Sequence, residues 1–202
     1  IQASELLVSG LAPHLLGRIG AQAPHVRVVF SPEALEGGPA LRQGWVDVEV
    51  GVLGHLDPEI HTRPLIDAEL VGVARAGHRL VAKRVDVRRF AACGHIGVSR
   101  TGRAHGPIDT LLEQHGLTRR VPVVVPSHTA SLLLARDTDL IGLWLDGWLP
   151  EAVAALGLRT FRIPLPLPPV PFGMAWHPRT DADPGHRWFR DHLAAALHAA
   201  LN

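Results

Sequence analysis

Among the 202 residues, the side chains able to do chemistry are thirteen histidines, one cysteine and scattered hydroxyls, carboxylates and arginines. Imidazole is a common metal ligand, so a metal centre is the first chemistry to weigh. The spacing argues against it. His55 and His61 fall in a loop and a strand, His192 and His198 are separated by more than one helical turn, and no cysteine pair or His-Glu-x-x-His run occurs. Nucleophilic catalysis fares no better, because Ser127 and His128 are adjacent and neighbours at a helix start diverge instead of facing each other. Cys93 beside Gly94-His95 has the same weakness. The residues therefore read as those of a binding protein, not an enzyme, with neither metal nor cofactor.

What the sequence does offer is a place to hold a small polar molecule. Residues 121–125 are rich in β-branched side chains and read as a short buried strand stopped by Pro126. Ser127 or Thr129 can then accept hydrogen bonds from the free N–H groups of a helix over residues 130–135. Asp137-Thr-Asp139 ends that helix, and residues 140–144 are apolar enough for the next strand. In such a β–α–β unit the helix opens where the first strand closes, and its N–H groups and dipole favour an anion or small polar ligand there. The same hydroxyls serve equally well as caps with no ligand contact. Arg100 and Arg103, in a polar turn upstream, suit a carboxylate by forked hydrogen bonding, or stand as solvated loop arginines.

The elements that position these residues follow in order. Residues 1–3 form a strand, and Ser4 precedes a helix whose Leu7, Leu11, Leu15 and Ile19 share one face. Residues 26–30 read as a strand turned by Ser31-Pro32. Gly37-Gly-Pro39 introduces a short helix over 40–43 closed by Gly44, and residues 45–52 form a strand with Val46, Val48, Val50 and Val52 on one face. Strand-like runs follow at 60–65 and 68–74, then a short helix at 86–90, a strand at 95–99 and a helix from Pro107 to Gly116. Pro150 and Gly157 bracket another helix, 159–165 is a strand, and proline-rich 164–171 reads as a connector unable to sit inside a sheet. A last strand at 172–177 precedes a helix opened by Asp183-Pro184, with Phe189, Leu193, Leu197 and Leu201 as its apolar face. The alternation favours an α/β fold with largely parallel sheets, and the likeness of 1–52 to 95–144 suggests two lobes.

Composition sets the bounds. Hydrophobic residues make up 47% of the chain, enough for an ordinary core. No run nears the ~18 uninterrupted apolar residues of a membrane span. A single cysteine leaves no internal disulfide and fits a reducing cytoplasm. The net charge of +1, with basic residues scattered, carries no nucleic-acid footprint.

The order of features resembles the effector-binding domain of LysR-type transcriptional regulators over essentially the whole chain. The residues that carry the likeness are Ala3-Ser4-Glu5, Pro24-His-Val26, Leu41-Arg-Gln-Gly-Trp-Val-Asp47, Pro64-Leu65, Gly77-His78, Val124-Val-Pro126, Asp139-Leu-Ile141 and Trp176-His-Pro-Arg179. The tail from Trp176 to Trp188 is similar to that of the branch holding nodulation regulators and sensors of naphthalene-derived or nitroaromatic compounds. The resemblance implies a two-lobed type-2 periplasmic-binding-protein fold, each lobe a mostly parallel sheet flanked by helices. The chain would cross between lobes near Val73 and near Phe172, so that lobe I is about 1–73 plus 172–202 and lobe II about 74–171. It further implies a cytoplasmic homodimer or homotetramer that touches DNA only through an amino-terminal winged helix-turn-helix outside this chain. A small aromatic or carboxylated effector would sit in an interlobe cleft lined by Ser4, Glu5, Ser31, Pro32, Gly51, Val52, Arg100, Thr101, Ser127, His128 and Thr129. Two departures stand out: Glu49 replaces a small apolar residue, and Trp144-Leu145 replaces an apolar-Pro pair, which would set a large indole beside the cleft. A solute-binding protein of a transport system is the competing reading on the same fold.

Overall fold

The computed structural model of the protein describes residues 1–33, 39–54 and 56–201. The Gly37-Gly segment and His55 lie outside the described residues. The chain divides into two compact units, residues 1–68 with 170–202, and residues 69–169. The first crossing, expected near Val73, falls at 68/69 because the strand Leu70–Arg75 is paired on both edges within the second unit. The second, expected near Phe172, falls at 169/170.

The first unit is a four-stranded sheet, ordered β1 (Gln2–Ala3), β2 (Glu49–Gly51), β9 (Val170–Trp176) and β3 (His61–Ala68). Helices α1 (Glu5–Ile19) and α7 (Pro184–Ala199) pack against each other. The four-residue spacing places Leu7, Leu11, Leu15 and Ile19 inside, and each such burial stabilises by roughly 1.5–3 kcal/mol. Leu193 and Leu197 supply the matching face of α7, whose Asp183 carboxylate accepts the N–H groups of Gly185 and His186. The short helix α2 (Ala40–Gln43) ends on Gly44 at φ +72°, as its position demands. Its last carbonyls are collected by Arg179, which donates to the oxygens of Leu41 and Arg42. The Trp176-His-Pro-Arg179 segment is thus a clamp: the Trp176 indole donates to Asp181 at 2.6 Å and lies 4.4 Å under the Arg190 guanidinium.

The second unit is a five-stranded sheet, ordered β6 (Arg120–Val125), β5 (Gly94–Val98), β7 (Leu140–Leu145), β4 (Leu70–Arg75) and β8 (Leu158–Arg162). Around it run α3 (Val87–Ala91), α4 (Pro107–Gln114), α5 (His128–Asp137) and α6 (Pro150–Ala155). Helix α5 approaches the sheet closely: a Cβ on Gly142 of β7 would come within 2.6 Å of the Ser131 Oγ.

Both sheets are mixed, which corrects the expectation of mostly parallel ones. β1–β2, β5–β6 and β5–β7 are parallel, whereas β2–β9, β3–β9, β4–β7 and β4–β8 are antiparallel. The reason is connectivity: β3 to β4 and β8 to β9 are joined without a crossover helix, and β9 enters the first sheet against β2 and β3. Residues 26–30 form no strand of a ladder; they run alongside β1 with Val28 and Phe30 half-buried and the rest exposed, and the neighbouring Ser31 makes a single bridge to Gln2. β2 is shorter than expected, and Val52 is exposed instead of sharing the buried face of Val46, Val48 and Val50. Pro171 does stand in a strand, at the start of β9 where only β3 flanks it. Among the described residues, no helix is long and apolar enough to cross a membrane.

The Ser131 hydroxyl is fully buried and makes no hydrogen bond among the described residues. A buried polar group without a partner is destabilising, so Ser131→Ala should raise stability by about 1 kcal/mol in urea unfolding. Gly142→Ala should lower it, through the clash with the same hydroxyl. A loss of stability in Ser131→Ala would show that the hydroxyl is satisfied.

Candidate functional site

The two units bring together separate groups of the expected residues. In the first, Ala3 pairs with Val50 and its N–H donates to the Ser31 carbonyl at 3.0 Å, so three chain segments leave the sheet side by side. Ser4, Pro32 and Gly51 are the residues that follow. Ser4 caps α1, its Oγ accepting the Leu7 N–H at 3.4 Å, and Glu5 opens the helix exposed to solvent. Ser31 is half-buried, while Pro32 and Val52 are exposed. The Glu33 carboxylate lies over Gly51: a Cβ there would come within 2.8 Å of it, a contact the flexible Glu33 side chain could relieve by shifting. Glu33, which the sequence reading missed, therefore belongs to this edge. Its only signal was its place directly after Ser31-Pro32.

In the second unit, Val98 pairs with Val125 in parallel register and the Ser99 N–H donates to the Val125 carbonyl at 2.9 Å. The turn after β5 and the start of α5 consequently emerge at one level. Ser127 is the cap of α5, accepting the Ala130 N–H at 3.1 Å, whereas Thr129 lies inside the first turn and is exposed. His128 is half-buried at the first helical position. Ser99 Oγ accepts the Arg103 N–H at 3.0 Å and lies 3.3 Å from the Thr101 hydroxyl, which shapes a turn carrying Arg100 and Thr101 at the surface. A turn carrying Arg100 and Arg103, level with the N-terminus of a ten-residue helix, can take an anionic or hydroxylated group.

Behind that turn sits a buried polar network that sequence reasoning also missed. Arg119 forms a two-pronged pair with Asp109 at 2.8 Å on both oxygens, with side chains 5% and 14% exposed. Asp109 in turn accepts the Gly106 N–H at 2.8 Å and so fixes the end of the 99–106 turn to α4. Burial opposes the charge on Asp109, but the Arg119 guanidinium and the Gly106 N–H hold its carboxyl below the ordinary value. An acidic residue three positions after Gly106, ahead of a helix opened by proline, was a readable capping signal. His95 completes the network, lying 3.5 Å from Arg119 and 3.0 Å from the Phe90 carbonyl.

Trp144 is placed differently from the expectation. Its indole is 2% exposed inside the second unit and donates to the Trp148 carbonyl at 2.6 Å, so it forms core and not a surface beside a ligand. Glu49 is half-buried at the first position of β2. Among the described residues, no group of three or more His, Cys, Asp or Glu side chains is arranged to hold a metal ion.

Comparison with known proteins places this arrangement. The family model described as LysR substrate binding domain matches residues 1–198. The chain belongs to this family. It is 33% identical over 193 residues to the HTH-type transcriptional regulator SyrM of Rhizobium meliloti (strain 1021), covering 94% of this chain and 59% of that protein. The chain therefore spans well under two thirds of the length of such relatives. The regulatory domain of MexT, a transcriptional activator in Pseudomonas aeruginosa, superposes with a TM-score of 0.81 at 26% identity, covering 96% of this chain and 95% of that one. The effector-binding domain of QuiR, solved in complex with shikimate, shares the fold with a TM-score of 0.71 at 19% identity over 98% and 94%. The two-sheet α/β architecture is thus that of LysR regulatory domains.

Burial, together with the Arg119 charge, lowers the pKa of His95 from 6.5 to about 4. The unfolded chain then binds a proton that the folded chain refuses, so this contribution is complete above pH 6.5 and is lost as pH falls toward 4. Its size is about 3 kcal/mol, from a shift worth ~1.36 kcal/mol per unit. Chemical unfolding of the wild type and His95→Asn from pH 7 to 4 tests this. The variant should show the shallower dependence, and equal slopes would remove His95 from the account.

Proposed function

We propose that this LysR substrate-binding domain is the ligand-sensing part of a DNA-binding transcriptional regulator, taking a small effector at the strand-end turns of its two units. The observation that carries the reading is the family match across residues 1–198, with relatives that are transcriptional regulators. The transporter-associated alternative has no comparable support. QuiR, whose effector-binding domain was solved with shikimate, shows the same fold accommodating a small molecule. In this chain the candidate effector contacts are Ser4, Ser31, Pro32 and Gly51 at the strand ends of the first unit, and Arg100, Thr101, Ser127 and Thr129 at those of the second. Two helix N-termini and Arg100 favour a carboxylated or aromatic acid, while Glu5 and Glu33 on the first unit favour hydroxyl groups. Effector binding shifts the protein only by its difference in affinity for two arrangements, and that difference is what an attached DNA-binding domain would read.

A thermal-shift screen of aromatic acids, amino acids and flavonoid-like compounds would supply the effector for calorimetry. Thr129→Val keeps the shape while removing one hydroxyl, and should weaken binding by roughly 1.5–3 kcal/mol if that hydroxyl meets a charged group. Arg100→Ala should cost at least as much for an anion. Undiminished affinity in both variants would move the site elsewhere.

Self-association through α1 and α4 is part of the same proposal. Leu16 stands 53% exposed on α1, whereas Leu6 is buried. Light scattering at high concentration should give a dimer mass for the wild type and a lower one for Leu16→Glu. A monomer throughout would count against it.

A further inference from the structure

The first unit holds a second concavity, a cavity of about 460 Å³ walled by residues 26–31, by 45–47 and by the start of α7. That volume suits a compact organic molecule. Its wall is aromatic and apolar, with Trp45, Trp188, Phe189, Val26 and Val29 contributing. Trp45 is 72% exposed, Val29 61% and Val26 49%. Isolated exposed hydrophobic residues are ordinary, but a cluster around one concavity leaves apolar surface in water that a ligand would cover. Trp188 is already held in place, its indole donating to the Gln22 side chain at 3.3 Å and its ring lying 4.4 Å from that of His192.

The charges around the cavity decide what it would take. Asp183 is committed to capping α7, accepting the N–H groups of Gly185 and His186. Asp47 also lines the cavity, as an exposed and solvated carboxylate. Arg27, by contrast, lines the cavity and forms no ion pair among the described residues. We propose that this cavity binds a planar aromatic anion, its rings packed among Trp45, Trp188 and Phe189 and its acidic group paired with Arg27. The guanidinium matches a carboxylate or sulfonate by parallel hydrogen bonds, and the indoles offer flat apolar faces that lose little freedom on binding. The site lies wholly within the first unit and is additional to the effector position proposed above. Ser31 lines both, so the variants that separate them are those away from Ser31.

The probe is 1-anilinonaphthalene-8-sulfonate, titrated into the native domain while its own emission and the tryptophan emission are followed. Saturable binding at one site is expected, weakened about tenfold in Trp45→Ala and in Arg27→Gln and unchanged in Thr129→Val. The indole N–H signals of Trp45 and Trp188 should shift in NMR spectra, while those of the buried Trp144 and Trp148 stay in place. Thermal unfolding of each variant separates lost binding from lost folding. The proposal is overturned if both variants bind as the wild type does, if binding fails to saturate, or if only Thr129→Val loses it. It is equally overturned if Trp45→Ala converts a dimer into a monomer in light scattering, since a second copy would then cover this surface.

Discussion

Parallel pairing that brings strand ends level is the constraint on which the rest of the structure depends. In the second unit the hydrogen bond from Ser99 N–H to the Val125 carbonyl puts the turn after β5 and the start of α5 at one edge. In the first unit the bond from Ala3 N–H to the Ser31 carbonyl, with the pairing of Ala3 to Val50, does the same for Ser4, Pro32 and Gly51. Because a strand followed directly by a helix delivers unpaired N–H groups at that point, level ends concentrate them. A register slip of one residue would turn Val50 of β2 outward and scatter the turns at once.

Charge is used to hold these edges and not to fill the core. Asp109 and Arg119 are nearly buried, and removing one member would leave the other uncompensated at a cost of about 3–5 kcal/mol. Their return is geometric: Asp109 grips Gly106, and the 99–106 turn is closed at both ends, by Ser99 Oγ on Arg103 N–H and by Asp109 on Gly106 N–H. His95 stays neutral beside them because burial and the neighbouring guanidinium both oppose a second positive charge. In the first unit Arg179 and Asp181 act similarly at the surface, tying the segment before α7 to α2 and to His61.

Glycines mark where elements approach too closely for a side chain. Gly142 admits α5 onto β7, while at Gly51 the close neighbour is only the movable end of the Glu33 side chain. The first is a packing device of the second unit, and the second leaves an acidic group near the start of α1.

The sequence by itself determined the elements whose signals are local. The four-residue spacing of Leu7, Leu11, Leu15 and Ile19 specified α1, the valines of 121–125 with Pro126 and Ser127 specified the β6–α5 junction, and Gly44 specified the end of α2. These are short-range preferences of backbone and side chain, so they survive without knowledge of partners, and together they sufficed for the fold class and the family. Strand direction, the extent of residues 26–30 and of β2, and the residues that complete each edge were decided only by tertiary structure. Pairing depends on what the neighbouring strand offers, and β9 arrives from more than a hundred residues downstream of β2 to run against it. Glu33 reaches Gly51, Arg119 reaches Asp109, and Trp144 turns inward for the same reason: each is placed by contacts distant in sequence or by the packing of a core, and no local pattern encodes them.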